Sequence, residues 1–183
     1  TLQIGTGVAL VAQHNPITLA KQIASVDHLS GGRFHLGIGF GWNAEEMAQH
    51  GVDYRTRREH VAESIAAMRA IWANERASFE GAFHSIEELW SWPKCVRPEG
   101  PPVLIGGAAG PKMFDAIARY ADGWMPVGGS TLGTQIERLH QTCEEQDRDP
   151  ATIRIVPFGS LPTNEKLDYF RGLGVTETIL RLP

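Results

Sequence analysis

A glycine-rich stretch at residues 34–46 constrains this chain more than any other. It has the sequence Phe-His-Leu-Gly-Ile-Gly-Phe-Gly-Trp-Asn-Ala-Glu-Glu. From Phe34 to Phe40 the even positions are large and apolar, whereas the odd positions are His35, Gly37 and Gly39. Since successive strand side chains point to opposite faces, this pattern predicts a strand with one nearly bare face. Either a planar ligand lies against that face, or the glycines relieve crowding between converging strands.

Strand-like and helix-like segments alternate along the chain. The predicted strands cover residues 2–11, 34–40, 103–105, 123–127, 153–158 and 175–182. The predicted helices begin at Asn15–Pro16, Arg57, Pro111, Thr131 and Asn164, and a short helical segment lies within 43–55. A small turn flanked by short strands is predicted at 79–83, and residues 84–102 read as an irregular excursion. Such alternation predicts an α/β fold with parallel strands.

Two α/β architectures fit this alternation, an open doubly wound sheet and a closed TIM (β/α)8 barrel. The glycine-lined strand faces favour the barrel, because central strands of an open sheet should be bulky on both faces. A barrel of this kind has eight strands and about 250 residues, whereas six strands are predicted in 183 residues. We therefore expect residues 1–183 to form a single incomplete barrel domain with an irregular insertion around 76–102. The first two βα units and the last helix would lie outside it.

Composition limits the classes of partner. The apolar share is 42%, the charged share is 21% and the formal net charge is -4, with the signs scattered. This balance gives no reason to expect binding to nucleic acid or to an anionic membrane. No apolar run approaches the roughly 20 residues of a spanning helix. The two cysteines, Cys95 and Cys143, form no metal-type pair, so a reducing cytoplasm is the expected compartment.

The ends of the predicted strands form the candidate site, since barrel enzymes place catalysis at that face. These ends are residues 6–8, 39–42, 106–108, 126–128 and 159–160. These residues offer mainly backbone groups and few acidic or basic side chains, which indicates a site for a flat or phosphorylated ligand. The run from Gly106 to Gly110 before a helix offers N–H groups to a phosphate. A plain strand-to-helix turn explains the same run equally well.

Other chemistries find less support. Residues 39–44 fit a loose dinucleotide fingerprint, G-x-G-x-x-A, but the long helix that follows argues against it. The seven histidines show no metal-ligand spacing, and His35 is assigned a structural role. The polar residues of the helix at 57–73 are assigned to a solvated face. Glu45 and Glu46 either bind a ligand or favour a helix N-terminus.

Several motifs together resemble the bacterial luciferase-like monooxygenase family, and within it the branch of F420-dependent oxidoreductases. They are Leu-Gln-Ile-Gly-Thr-Gly-Val at 2–8, Asn-Pro-Ile-Thr-Leu-Ala-Lys-Gln at 15–22, Leu-Ser-Gly-Gly-Arg at 29–33, Leu-Gly-Ile-Gly-Phe-Gly-Trp at 36–42 and Ala-Asp-Gly-Trp at 121–124. The resemblance implies a (β/α)8 barrel of the luciferase-like type. It places the strands of this chain as the third to the eighth of that barrel.

The resemblance also implies a cofactor, coenzyme F420 or FMN, and assigns residues to it. A bulge after the third strand, often with a non-prolyl cis peptide, would back the ring system at Gly7–Val8, beside Thr6. Gly39, Phe40, Gly41 and Trp42 would line the ring edge, with Glu45 nearby. The phosphate would be bound by Gly106, Gly107 and Ala108, helped by the turn of Pro126, Val127 and Gly128. The acid–base residues of such relatives follow the second strand, so no catalytic residue is named here, and no metal is expected.

The expected activity is hydride transfer between F420 and a small organic substrate. One alternative is an FMN-dependent monooxygenase that receives reduced flavin from a separate flavin reductase. Another, of a different class, is a flavin-binding paralogue without turnover. The family resemblance also leads us to expect a homodimer.

Overall fold

The computed structural model describes residues 2–127, 129 and 131–181. The chain separates into two compact units, and the boundary lies between Pro102 and Val103. Each unit contains at least one pair of parallel strands with a helix between them in sequence, as the alternation predicted. No helix in the described part of the chain is both long enough and apolar enough to cross a membrane.

From residue 2 onward, the first unit contains a short strand, a longer strand parallel to it, three α-helices and a hairpin. Its elements are β1 (Ile4–Gly5), α1 (Pro16–Leu29), β2 (Phe34–Ile38), α2 (Ala44–Gln49), α3 (Arg57–Ala73), β3 (Arg76–Glu80) and β4 (Ser85–Trp90), with a 3₁₀ turn at Val11–Gln13.

Local cap chemistry explains where these helices begin. The Asn15 side chain accepts hydrogen bonds from the N–H groups of Ile17 and Thr18 at the start of α1, and Pro16 occupies the first helical position. Asn43 caps α2 by accepting from the N–H of Glu46. In α3 the apolar residues Val61, Ile65, Met68 and Trp72, which recur at helical spacing in the sequence, are all buried. The predictions for α1 and α3 are therefore confirmed.

Two strands of the first unit differ from their predicted extents. The strand predicted at 2–11 has regular pairing only at Ile4–Gly5, which lie parallel to Phe34 and His35 of β2. The antiparallel pair β3–β4 confirms the predicted turn at 79–83. However, β4 continues to Trp90, so the excursion predicted as irregular from residue 84 begins only after that residue. The extent of β4 depends on its pairing with β3, and the prolines in 84–102 give no information about that pairing.

The described part of the second unit contains five strands and three α-helices, with a 3₁₀ turn at Pro150–Thr152. They are β5 (Val103–Gly106), α4 (Pro111–Tyr120), β6 (Gly123–Met125), α5 (Leu132–Glu145), β7 (Arg154–Ile155), β8 (Phe158–Ser160), α6 (Asn164–Gly172) and β9 (Ile179–Leu180). β5, β6 and β7 pair in parallel, in that order, and β8 pairs in parallel with β9. Leu104, Met125 and Val156 form a buried cluster between these strands.

Three predictions in this unit need correction. The single strand predicted at 153–158 is divided into β7 and β8, since Pro157 has no N–H for a continuous ladder. The strand predicted at 175–182 is regular only at Ile179–Leu180, and its last residue lies outside the described residues. The Thr131 side chain, predicted to cap α5, makes no capping hydrogen bond. By contrast, α6 begins at Asn164 as predicted, and Thr163 caps it.

Candidate functional site

The chain forms a bulge just after β1. Gly5 pairs with His35 and Ala9 pairs with Ile38, so four steps along the first strand match three along β2. The bulge, residues 6–8, contains the extra residue. The Thr6 hydroxyl donates to the carbonyl of Gly37 over 2.7 Å, and the N–H of Ala9 donates to the same oxygen over 2.8 Å. These two hydrogen bonds fix the bulge against β2.

The peptide bond between Gly7 and Val8 is cis. The resemblance placed a bulge with a non-prolyl cis peptide at these two residues, and both features are present. The Val8 side chain is 41% exposed, which is unusual for a valine beside a buried strand. The bulge therefore presents an apolar side chain and adjoining backbone to its surroundings.

Close packing against the bulge explains the glycine that directly follows β2. A Cβ at Gly39 would lie 2.7 Å from Cγ2 of Val8, well inside van der Waals contact. Relief of crowding between converging strands therefore accounts for Gly39. His35, within β2, is only 7% exposed, which agrees with the structural role predicted for it.

The loop of residues 39–42 has a buried part and an exposed part. The Phe40 ring is 6% exposed, and the guanidinium of Arg58 lies 4.0 Å from its centroid. Trp42 is 85% exposed, and no described residue accepts a hydrogen bond from its backbone N–H. Phe40 could therefore reach a ligand only through its main chain, whereas Trp42 offers both its ring and its N–H.

Glu45 and Glu46 occupy the first turn of α2 and are exposed. Carboxylates in this position stabilise the N-terminus of a helix. Both roles considered for Glu45, helix stabilisation and ligand contact, fit this exposed position.

The loop of residues 106–110 is only partly available to a ligand. The N–H of Gly107 donates to the Met125 carbonyl over 3.2 Å, and Trp124 Nε1 donates to the Gly107 carbonyl over 3.0 Å. The expectation of free N–H groups is thus wrong for Gly107. No described residue accepts from the N–H groups of Ala108, Ala109 and Gly110, which precede the ten-residue helix α4. These three donors suit a phosphate.

The turn after β6 also separates into buried and exposed residues. Pro126 is buried and its carbonyl accepts from the N–H of Phe158 over 2.7 Å. Val127 pairs with Phe158 as an isolated bridge, yet its side chain is 75% exposed. Gly128 lies outside the described residues. Gly159 is exposed, and Ser160 Oγ is buried without a hydrogen-bond partner.

The predicted site residues fall into two groups. Within the first unit, the bulge and the 39–42 loop lie side by side through the contact of Val8 with Gly39. Within the second unit, Gly107 and Met125 connect the 106–110 loop to the end of β6. Their assignment to one cofactor site stays a prediction.

Three residues assigned to a solvated face of α3 make specific contacts, so that assignment is wrong for them. Arg57 Nε donates to the Gly41 carbonyl over 3.2 Å, and Arg58 stacks on Phe40. The Glu63 carboxylate accepts from the N–H groups at the hairpin turn, at Ala82, Phe83 and His84. The sequence gives no signal for these contacts, because the partners lie 16 to 21 residues away in loops.

Glu63 belongs to a small titratable cluster. Partial burial alone would raise its pKa, but the three backbone N–H donors and the neighbouring His84 outweigh that effect, and the pKa is lowered. Burial lowers the pKa of both His60 and His84, and their mutual proximity lowers that of His60 further. Ser64 Oγ lies 2.8 Å from His84 Nε2, but Ser64 is fully buried. This pair could not reach a substrate as a nucleophile and base.

The cysteines do not supply a nucleophile either. Both are buried and free. Burial, with the nearby Asp27 carboxylate, raises the pKa of Cys95 to about 12, and burial also raises the pKa of Cys143. Among the described residues, no group of three or more His, Cys, Asp or Glu side chains is arranged so that it could hold a metal ion. The candidate site can bind and orient a ligand through backbone groups, and its described residues supply no evident acid or base.

Solved structures show the class to which this fold belongs. An F420-dependent secondary alcohol dehydrogenase in complex with an F420-acetone adduct matches 93% of this chain and 54% of its own, with a TM-score of 0.69 and 20% identity. The oxygenating constituent of 3,6-diketocamphane monooxygenase from Pseudomonas putida, in complex with FMN, matches 93% of this chain and 52% of its own, with a TM-score of 0.67 and 18% identity. The fold is of the luciferase-like TIM-barrel class.

Sequence comparison gives the family. The profile of the luciferase-like monooxygenases matches residues 1–168, and the chain belongs to this family. It is 41% identical over 183 residues to the uncharacterized protein Rv0953c of Mycobacterium tuberculosis, covering all of this chain and 64% of that protein. It is 34% identical over 157 residues to the F420-dependent hydroxymycolic acid dehydrogenase of the same organism, covering 84% of this chain and 43% of that protein. The chain thus spans less than two thirds of the length of these relatives.

Proposed function

We propose that this protein is a coenzyme F420-dependent oxidoreductase that transfers a hydride between the deazaflavin and a small organic substrate. The observation that carries the proposal is the 34% identity to an F420-dependent dehydrogenase over 84% of the chain. The FMN-bound structure that shares the fold is only 18% identical. Sequence similarity to a curated relative therefore favours F420.

The described residues suit such a cofactor. The exposed Val8 and the exposed Trp42 ring provide apolar surfaces of the kind that a planar ring system packs against. The N–H groups of Ala108, Ala109 and Gly110, just before α4, provide the donors that a phosphate requires. Both flavin and deazaflavin cofactors contain a ring system and a phosphate, so the residues fit either of them.

Each group of residues has a separate task in this proposal. The deazaflavin would supply the hydride chemistry when bound. Val8 and Trp42 would hold the ring plane and exclude water from one side of it. The donors before α4 would bind the cofactor phosphate, which restrains the cofactor for transfer.

The alternative is an FMN-dependent monooxygenase supplied by a separate flavin reductase, and the shared fold with an FMN-bound monooxygenase favours it. We further infer a homodimer and a small-molecule substrate, from the family resemblance. The two free, buried cysteines suit a reducing cytoplasm, where we place the reaction.

A titration of the purified protein with F420, and separately with FMN, tests the proposal through the fluorescence of each cofactor. Tight binding of F420 with weak binding of FMN is expected, followed by F420 reduction with an alcohol substrate. Tighter binding of FMN than of F420 would favour the alternative function, an FMN-dependent monooxygenase. Binding without any substrate-dependent change in F420 absorbance would indicate a paralogue without turnover, and binding of neither cofactor would contradict all three.

A further inference from the structure

Arg57, at the start of α3, is held by three contacts at once. Its Nε donates to the Gly41 carbonyl over 3.2 Å, and its Nη1 donates to the Tyr54 carbonyl over 2.6 Å. Its guanidinium also lies 3.6 Å from the centroid of the Tyr54 ring. A planar guanidinium that stacks on a ring and donates in its own plane has little freedom left. The direction of the Gly41 carbonyl is therefore fixed by α3.

Fixing this carbonyl also fixes the next N–H group. Among the described residues, cis peptide bonds occur only at Gly7–Val8 and Trp92–Pro93, so the bond from Gly41 to Trp42 is trans. In a trans peptide the C=O and N–H point in opposite directions. Because the Gly41 carbonyl points to Arg57, the Trp42 N–H points away from it. No described residue accepts from that N–H.

The rest of the loop is anchored by packing. The Arg58 guanidinium covers the Phe40 ring at 4.0 Å, and Met47 is buried, with its Cε under Gly41. Asn43 begins α2 by accepting from the N–H of Glu46. These contacts hold the loop on both sides of Trp42, whose backbone N–H has no acceptor among the described residues.

We propose that Arg57 is a positioning residue that aims the Trp42 N–H at an acceptor atom of the bound cofactor. The inference rests on the proposed function, since it requires that a cofactor ring lies against the 39–42 loop. Arg57 itself does not touch the cofactor. It acts through the Gly41–Trp42 peptide, and removing its forked donation should let that peptide rotate.

The charge-conserving variant Arg57→Lys tests the inference, because lysine cannot donate in the same fork or stack in the same way. Arg55→Lys is the matched control, since Arg55 is exposed, lies two residues away and uses its backbone N–H for its contact with Asp53. Arg57→Lys should weaken F420 binding about fivefold to tenfold, the effect of losing one ordinary hydrogen bond between the Trp42 N–H and the cofactor. Arg55→Lys should change the dissociation constant by no more than about twofold.

A spectroscopic measurement separates positioning from general stability. The protein is labelled with 5-fluorotryptophan, and the ¹⁹F resonance of Trp42 is identified by its loss in Trp42→Phe. In Arg57→Lys the Trp42 resonance should shift or broaden, whereas the resonance of the buried Trp124 should stay unchanged. Tyr54→Leu removes the ring under the guanidinium and should give the same change more weakly, which provides a second route if Arg57→Lys folds poorly.

Equal F420 affinity in Arg57→Lys and Arg55→Lys, with an unmoved Trp42 resonance, would overturn the inference while leaving the proposed function intact. If the wild-type protein bound neither F420 nor FMN, the proposed function would be overturned. The role of Arg57 toward a cofactor would then be overturned as well.

Discussion

Gly107 has a backbone conformation that side chains rarely adopt. Its φ is +146°, and a Cβ there would lie 2.7 Å from Cε of Met113. Met113 is flexible and could move, but the backbone conformation would remain strained for any L-residue. We expect Gly107→Ala to lower the free energy of unfolding by about 1–3 kcal/mol. Urea denaturation measures this change.

Gly172→Ala is the control for that prediction. Gly172 ends α6, and nothing lies within 4 Å of the Cβ that alanine would add. Alanine in this helical position should leave stability unchanged or raise it by up to about 1 kcal/mol. If both variants lost the same stability, the conformation of Gly107 would not be the cause.

A single carboxylate on α3 accepts three hydrogen bonds from the turn of the β3–β4 hairpin. Glu63 accepts from the N–H groups of Ala82, Phe83 and His84 over 2.7–2.8 Å. In Glu63→Gln the amide NH₂ would face one of these donors, and the charge that strengthens the bonds would be lost. A loss of about 1–3 kcal/mol is expected from urea denaturation. Glu59→Gln, on an exposed side chain of the same helix, should show no comparable loss.

The same part of the chain should make stability depend on pH. The pKa values of His60 and His84 are lowered in the folded protein, by burial above all. The unfolded chain therefore binds protons first, near pH 6.5. The contribution of these histidines to the free energy of unfolding should be fully present above that pH. It should be lost as the pH drops through it toward the pKa values of the folded protein. Glu63, whose pKa is also lowered, stays ionised in this range and does not oppose the trend.

Replacement of one histidine isolates this contribution. Unfolding free energies of the wild type and of His60→Gln are compared at about pH 7.5 and about pH 5.5, on either side of the unfolded histidine pKa. The difference between the two pH values should be smaller in His60→Gln. An equal difference in both proteins would assign the pH dependence to other groups.

Helices were predicted better than strands, and the reason is the range of the interactions that define them. The start of α1 follows from Asn15 and Pro16 themselves, and α3 has its predicted bounds of Arg57–Ala73. The interruption of the first strand depends on how residues 6–8 meet β2, about 30 residues later. Likewise, the sequence predicts that Arg57 and Glu63 face solvent, because their actual partners are backbone groups in distant loops. Such contacts leave no periodic pattern in a single sequence.

At the scale of the whole molecule, a cofactor that binds only the folded state should raise its thermal stability. A ligand at 100 times its dissociation constant adds about 2.7 kcal/mol. For a chain of 183 residues this corresponds to a rise in Tm of roughly 5–10 °C. We expect F420 to give such a rise and FMN at the same concentration to give a smaller one.

Inorganic phosphate is the control for this last prediction, because it offers the donors before α4 an anion without any ring system. Phosphate at the concentration used for F420 should leave the Tm nearly unchanged, since a lone phosphate gains no contact with the exposed Val8 and Trp42 side chains. Equal shifts with phosphate and F420 would mean that only the anion is recognised. A larger shift with FMN than with F420 would favour the monooxygenase, because binding to the native state alone sets the size of each shift.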